Sequence, residues 1–451
     1  MKRDLTSLLT AQRETAATAP YPTLAIRRER LARLALMTRR HQRAIIQAIQ
    51  ADFGQRSEVE IRLAEISSVL HAIRHARLHL WHWMRPQVAT MPWRLWPARA
   101  RISPQPLGVV GVMSAWNYPW CLALMPIVDA LAAGNTVLLK PSEQAPHTSA
   151  LLAQLVPQYF TDDEFVVIEG GEDVAAAFSA LPFDHLVFTG SSRVGRLVAA
   201  AAAINLTPVT LELGGKSPAL VASDADLDSA AEAIVFGKGF NNGQTCLAPD
   251  YVLVDASRME ALIKALELAI RHQRPNAREA TGHVSEHFAT RSERLIEQAR
   301  DQGCRVIDHG PHAPALVIDP HQGLPLMQEE IFGRALPIIS VQHQEDALRF
   351  INARPAPLVL YAFTHDKALQ QRLLEGTRSG ALVFNETLLH HAVPSLPFGG
   401  VGESGMGAYH GRHGFERFSH MRGVFYQAKR ANSRWLRPPY RRWLLKLLRL
   451  G

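Results

Sequence analysis

Cys246 and Glu212 carry the side chains best suited to covalent chemistry in this sequence. The cysteine ends the string FNNGQTC, and the glutamate lies in LELGGKSP, Leu211 to Pro218. A thiol is a nucleophile soft enough to attack a carbonyl carbon, and a carboxylate can activate a water to release the resulting thioester. An unperturbed thiol titrates near ~8.5, so a cysteine that works at neutral pH needs help from loop N–H groups or a helix N-terminus. Cys121 and Cys304 have no comparable context and read as packing residues. Asn117, in WNYP, adds an amide donor. With the backbone N–H of Cys246 it offers two groups to a tetrahedral oxyanion, although Asn before an aromatic residue and Pro is equally an ordinary turn.

Three further strings suit a dinucleotide. KPSE, Lys140 to Glu143, follows the strand-like TVLL, and a Lys and a Glu at a strand's carboxyl end can bind the two hydroxyls of an adenosine ribose. FTGSSRVG follows the strand-like HLV and spaces Gly190 and Gly195 as G-x-x-x-x-G, a weak signal alone because many strand-to-helix turns hold such a pair. EEIFG, Glu329 to Gly333, and the glycine-rich LPFGGVGESGMGAYHG, Leu396 to Gly411, complete the set. From about Pro106 to His420 these strings and their order resemble NAD(P)-dependent aldehyde dehydrogenases. GVGxSGMGxYHG resembles the class 3 type, and FDHLVFTGS and TCLAPDYVLV are similar to bacterial coniferyl-aldehyde dehydrogenases.

The resemblance implies roles. Cys246 is the expected nucleophile, Glu212 the base of deacylation and Asn117 the oxyanion donor. Trp116, Lys140, Glu143, Gly190, Ser191, Gly195, Glu330 and Phe332 fall on the cofactor side, and Tyr118 and Phe398 on the substrate side. Related enzymes that pass the acyl group to coenzyme A tend to lack the glutamate, so water is the expected acceptor. NAD is the expected cofactor, because Glu143 should accept from a ribose 2′-hydroxyl; Lys140 leaves NADP open. Tyr118, Trp120 and Phe398 suggest an apolar or aromatic aldehyde, although each is equally a core residue. A homodimer is implied, with the stretch Val88–Pro106 and the segment after Phe418 as contacts. Two positions depart from the family pattern: Ala115 stands where Pro is usual, and Arg334 follows EEIFG where Pro is usual.

The elements that must hold these groups are legible in outline. Residues from about 24 to 85 show apolar spacing of helices, closed by Pro86. Val88–Pro106, rich in Pro, Trp and Arg, reads as an extended arm. GVVGVMSA, TVLLKPS, FVVIEGG and HLVFTGS alternate with helical stretches, which predicts a parallel α/β sheet. PALVAS, YVLVD, ALVID, LPIISV, LVLYAFT and ALVFNE predict a second. The expected fold is therefore α/β, a Rossmann-like cofactor domain plus a second α/β catalytic domain with a small oligomerisation arm. Its expected parts are residues 1–211 for NAD(P), with 85–106 as the arm, and 212–395 for catalysis. Residues 396–418 return to the cofactor domain and the site's rim, and 419–451 form a C-terminal arm.

Composition fits a soluble enzyme of two or three domains: 451 residues, 47% hydrophobic and 20% charged. Three cysteines argue against a disulfide framework, and the sequence has neither a transmembrane run nor a secretory leader, so a cytoplasmic location is expected. The net charge of +8 concentrates at the two ends without a nucleic-acid-binding motif, so no nucleic-acid partner is expected. The tail YRRWLLKLLRLG is basic and amphipathic. It fits either packing on protein or peripheral contact with an anionic membrane. His71, His75, His79 and His82 share helical spacing, but no carboxylate or cysteine pattern completes a metal site, and none is expected. His390 and His391 fit either the rim of the substrate entrance or a loop without a role. Two rival functions, a cysteine hydrolase and a non-catalytic binding protein, leave unexplained the dinucleotide strings and the intact Cys246, Glu212 and Asn117 respectively.

Overall fold

The structure is a computed structural model that describes residues 4–276 and 278–429, with Ser433, residues 437–439 and Trp443 beyond. Apart from Trp443, the amphipathic tail lies outside the described residues. In chain order the strands are β1 (Gln87–Val88), β2 (Arg99–Pro106), β3 (Val109–Met113), β4 (Thr136–Lys140), β5 (Phe165–Val167), β6 (His185–Gly190), β7 (Val209–Leu213) and β8 (Pro218–Val221). They continue with β9 (Tyr251–Asp255), β10 (Arg305–Asp308), β11 (Ala315–Ile318), β12 (Ala335–Val341), β13 (Val359–Phe363), β14 (Ala381–Phe384), β15 (Gly405–Met406) and β16 (Ser419–Tyr426).

They form three sheets. A six-stranded sheet runs β15-β7-β6-β3-β4-β5, parallel except for the edge strand β15. A seven-stranded sheet runs β10-β11-β12-β9-β8-β13-β14, parallel except for β10. Every residue of β3 and β4 is buried, as expected for parallel strands covered by helices on both faces. The helix Cys121–Ala133 is also buried throughout, packed between β3 and β4 and the helices Leu24–Arg40 and Ser68–Trp83. The third sheet, β1-β2-β16, is antiparallel. It joins the predicted arm to the segment after Phe418, pairing Ser419 with Pro106 and Tyr426 with Arg99.

Three differences from the sequence reading have physical causes. The boundary expected at residue 212 falls later: β7 carries Glu212 in the six-stranded sheet, and the chain crosses to the other sheet between Leu213 and Pro218. The N-terminal helix Leu5–Thr18 was not expected; its buried Gln12 donates to the Val137 and Asp162 carbonyls at 3.0 and 2.9 Å and so ties the helix to the sheet. The edge strand β10 was missed because none of its residues is fully buried, so it lacks an apolar run.

Candidate active site

Cys246 stands on the loop that enters β9, and the residues before it explain the string FNNGQTC. Asn241, Asn242 and Gly243 all take left-handed backbone, with φ of 53°, 54° and 74°. Asn and Gly are the residues that tolerate it. A side chain on Gly243 would meet the Gly333 carbonyl at 2.3 Å, so this loop and EEIFG touch backbone to backbone. Glu60 accepts from Asn241 N at 3.2 Å and from Thr281 Oγ1 at 2.8 Å, holding the turn from outside. Gln244 Nε2 donates to the Gly282 carbonyl at 2.9 Å. The nucleophile therefore sits on a backbone fixed from several sides.

Asn117 is brought to the same loop. Its Nδ2 donates to the Gln244 carbonyl at 3.2 Å, and its own carbonyl accepts from Asn241 Nδ2 at 3.0 Å and Arg56 at 3.2 Å. Arg56 is fully buried and pairs with the fully buried Glu65 at 2.8 Å. The other Glu65 oxygen accepts from Trp120 N and Cys121 N at 3.1 and 2.8 Å, where the buried helix begins. The Arg56 guanidinium lies over the rings of Phe53 and Tyr118, 4.7 and 4.9 Å from their centroids. Trp116, which follows Ala115, packs against Phe288 and Phe332 with ring centroids at 4.4 and 5.4 Å. Arg56, Glu60 and Glu65 escaped the sequence reading because polar residues in a helical stretch look like a solvated face.

Glu212 is buried near the end of β7, and its Oε1 has no hydrogen-bond partner. Burial pushes its carboxyl up to about 8, countered by a hydrogen bond with Cys246. Burial, and then the nearby carboxylates of Glu212 and Glu330, push the Cys246 thiol well above its usual range. Both groups are thus mostly protonated and neutral at neutral pH, and a negative charge on either raises the other. Gly214, two residues on, has no side chain because Glu330 Oε2 lies 1.9 Å from where a Cβ would be. Burial also pushes Glu330 up to about 8, with Asp250 adding to the shift. Lys216 of the same string donates to Glu329 O at 2.8 Å and Leu326 O at 2.7 Å and pairs with Asp250. Asp250 in turn accepts from Ile331 N at 2.9 Å. Lys216 is thus the link between LELGGKSP and EEIFG, a role its sequence context did not show. Arg334, which stands where the family usually has Pro, is buried and paired with Glu293 and, at 2.7 Å, with Asp308.

Two cavities meet at Cys246. The larger, a cleft of about 1250 Å³, is lined by Trp116, Asn117, Glu212, Glu330 and Phe332, and by the strand-end residues Lys140, Glu143, Gly190 and Ser191. It opens at the carboxyl ends of β3, β4 and β6, where strand order reverses and nucleotides bind in such sheets. Lys140 and Glu143 form an ion pair. Ser191 caps the helix Ser192–Ala203, accepting from Val194 N at 3.4 Å, and Gly195 lets that helix approach Leu213 closely. Ser114 Oγ and Thr189 Oγ1 are buried beside the cleft without partners. Unpaired hydroxyls, a helix N-terminus and a Lys–Glu pair at a strand end together fit a dinucleotide.

The smaller cavity, about 290 Å³, is lined by Tyr118, Leu122, Met125, Phe236, Phe240 and Phe398, with Cys246 again in its wall. Tyr118 Oη lies 2.6 Å from Thr245 Oγ1, and its ring stacks on Phe240. Phe398 is anchored by two hydrogen bonds of 2.9 Å to the Tyr409 backbone, so the glycine-rich string folds back beside β7, with Gly405 opposite Glu212. His391 lines this cavity, whereas His390 packs near Tyr361. His75 and His79 stack near Trp83. Among the described residues no group of three or more His, Cys, Asp or Glu is placed to hold a metal. Nor is any helix there long and apolar enough to cross a membrane.

Comparison with known proteins agrees with this geometry. The aldehyde dehydrogenase family model matches residues 3–424. A probable coniferyl aldehyde dehydrogenase of Pseudomonas aeruginosa is 43% identical over 453 residues, covering 98% of this chain and 95% of that protein. A dimeric NADP-preferring aldehyde dehydrogenase of Rattus norvegicus is 39% identical, covering 88% of this chain and 89% of that one. The substrate-bound structure of Staphylococcus aureus AldH superposes with a TM-score of 0.94 at 34% identity over 99% of both chains. The chain belongs to the aldehyde dehydrogenase family, NAD(P)-dependent enzymes that oxidise aldehydes to carboxylic acids.

Proposed function

We propose that Cys246 is the nucleophile, Glu212 the general base and Asn117 an oxyanion donor, and that the substrate is an apolar or aromatic aldehyde. The observation that carries this reading is that Cys246 lines both the dinucleotide-sized cleft and the small apolar cavity. The Cys246 thiol loses its proton to solvent, and the sulfur attacks the aldehyde carbon. The developing oxyanion is met by the Asn117 amide, which has a second N–H beyond the one given to Gln244, and by the Cys246 N–H. The bound dinucleotide supplies the hydride acceptor. Glu212, in its ionised form, takes a proton from water, whose oxygen attacks the thioester. That proton returns to the departing sulfur, and the carboxylic acid is released.

Trp116, Lys140, Glu143, Gly190, Ser191, Gly195, Glu330 and Phe332 hold the dinucleotide in this reading, with Ser114 and Thr189 as unforeseen wall residues. Tyr118 and Phe398 hold the aldehyde. NAD is preferred over NADP because the half-exposed Glu143 would repel a 2′-phosphate. The cofactor part is built on the six-stranded sheet and the catalytic part on the seven-stranded one. The β1-β2-β16 sheet, with Val88, Phe425 and Tyr426 exposed on it and Trp93 and Trp96 exposed in the connection between β1 and β2, is the proposed homodimer contact. Contact of the tail with an anionic membrane rests on its sequence alone, and liposome co-sedimentation of the full chain against one ending at Leu436 tests it.

The direct test follows reduced-nicotinamide absorbance with NAD, then NADP, across short aliphatic, long aliphatic and cinnamyl aldehydes. Turnover of the cinnamyl aldehydes with NAD, at higher kcat/KM than for short aliphatic ones, is expected. Preference for the short aliphatic aldehydes would overturn the substrate reading.

A further inference from the structure

A separate concave site lies between the helices Leu24–Arg40 and Ser68–Trp83. It is a groove of about 360 Å³ lined by Arg28, Arg39, Arg74 and Arg77, together with the buried Ala35 and Ile73 and the exposed Leu78. None of these residues lines either cavity at Cys246. Helical spacing explains the convergence. Arg28, Ala35 and Arg39 fall at i, i+7 and i+11 of one helix, and Arg74, Arg77 and Leu78 at i, i+3 and i+4 of the other, so each set shares a face.

The groove gathers four cations and no anion. Among the described residues none of the four guanidiniums has an ion pair or a hydrogen bond. Their neighbours on the first helix are satisfied: Arg30 and Arg33 pair with Glu164 at 3.1 and 2.7 Å, and Arg27 donates to the Pro22 and Ala132 carbonyls at 2.9 and 3.1 Å. That helix has one acid, Glu29, and Arg33 takes it at 2.7 Å. The second helix has none, and residues 66–128 contain neither Asp nor Glu. Like charges on one groove repel one another, and an anion seated among them removes that cost.

The residue type narrows the anion. A guanidinium presents its N–H donors as a planar fork that matches phosphate oxygens two at a time, and it gives up water more readily than an ammonium. A lone carboxylate would leave most of the four cations unmatched, whereas several phosphoryl groups engage them together. The volume falls at the lower end of small-molecule sites, and Ala35, Ile73 and Leu78 offer an apolar surface to an organic body. A concave site between two helices suits a discrete molecule better than a flat bilayer. We propose that this groove binds a small organic molecule carrying two or more phosphoryl groups, the class of nucleoside di- and triphosphates, outside the catalytic cavities.

The test is calorimetric titration of the full chain with ATP, in saturating NAD so that the cofactor cleft is filled. One ATP per chain is expected, with a Kd of about 100 µM or tighter near physiological salt and adenosine at least about tenfold weaker. Arg74→Gln with Arg77→Gln should weaken ATP by about tenfold or more. Arg412→Gln, an exposed arginine outside the groove, should leave it unchanged. Aldehyde turnover near wild type shows that the double variant is folded. If it is not, Arg28→Gln with Arg39→Gln on the other helix carries the same expectation. Absence of ATP binding once NAD is saturating would overturn the proposal, as would equal ATP affinity in the wild type and a folded double variant. A third outcome would also overturn it: no ATP binding, but co-sedimentation with phosphatylcholine vesicles containing phosphatidylinositol bisphosphate that the double variant loses. The groove would then be a membrane contact and not a small-molecule site.

Discussion

The two cavities that meet at Cys246 are built on different plans. The cleft is walled by contiguous strings at the ends of neighbouring parallel strands: WNYP after β3, KPSE after β4 and the SSRVG turn after β6. The pocket draws single side chains from distant places, Tyr118 and Leu122 beside Phe236 and Phe240, then His391, Phe398 and His410. A dinucleotide is recognised largely through backbone and strand-end groups, which demand local turn chemistry. A small aldehyde is recognised by the shape and polarity of scattered side chains. The first plan leaves motifs in a sequence, and the second leaves almost none.

Removing the group the cavities share should produce the largest effect. Cys246→Ala is expected to lower aldehyde oxidation by at least about a thousandfold while NAD binding, measured by direct titration, changes little. Turnover near wild type would mean that the two cavities meet at the wrong residue. Glu212→Gln comes next, with a loss of roughly a hundredfold in steady-state turnover. Rapid mixing should show a burst of NADH of about one per active site before slow turnover. The pH dependence follows from the raised carboxyl: Glu212 is protonated below about 8 and becomes a base above it. Wild-type turnover should therefore climb as pH rises through about 8, and the Gln variant should lack that limb. A burst-free variant with slowed hydride transfer would instead make Glu212 the activator of the thiol.

A change confined to the cleft should be smaller. Glu143→Ala is expected to shift the kcat/KM ratio toward NADP by about tenfold, since it removes a charge that repels a 2′-phosphate and releases Lys140 from its ion pair. The aldehyde profile should stay as it was, because Glu143 touches the cleft and not the pocket. A changed aldehyde profile would show that the cavities are coupled through more than Cys246.

The same contrast explains what the sequence made legible. Both main sheets and every strand bearing a dinucleotide residue were visible, because buried parallel strands read as apolar runs. FNNGQTC was visible because its left-handed turn requires Asn and Gly. The supports behind it were not. Arg56, Glu60 and Glu65 lie in a helical region whose polar residues read as solvated, yet they hold Asn117 and the Cys246 loop through contacts remote in sequence. The partners of Arg334 were hidden for the same reason: Glu293 and Asp308 become its neighbours only after folding.

The smallest expected effect on activity comes from the pocket's own buried acid. Asp129, on the helix Cys121–Ala133, accepts from the N–H groups of His410 and Gly411, and burial pushes it up to about 8. In the unfolded chain its pKa would be near ~3.9, so between the two values the folded protein holds a proton that the unfolded chain does not. The stability this contributes is fully present below the unfolded value and is lost as pH rises toward about 8. Asp129→Asn keeps an acceptor oxygen for both N–H groups but cannot titrate. It should therefore leave the aldehyde profile nearly unchanged and flatten the decline of stability from pH 5 to 8, by up to about 1.4 kcal/mol per pH unit. Denaturation midpoints of the two proteins at several pH values in that window are the measurement. Glu212 and Glu330 are raised in the same way and remain in the variant, so a residual slope is expected. Parallel curves for the two proteins would mean that Asp129 is ionised in the folded state, and that the pocket wall holding His410 rests on a charge and not on a neutral acid.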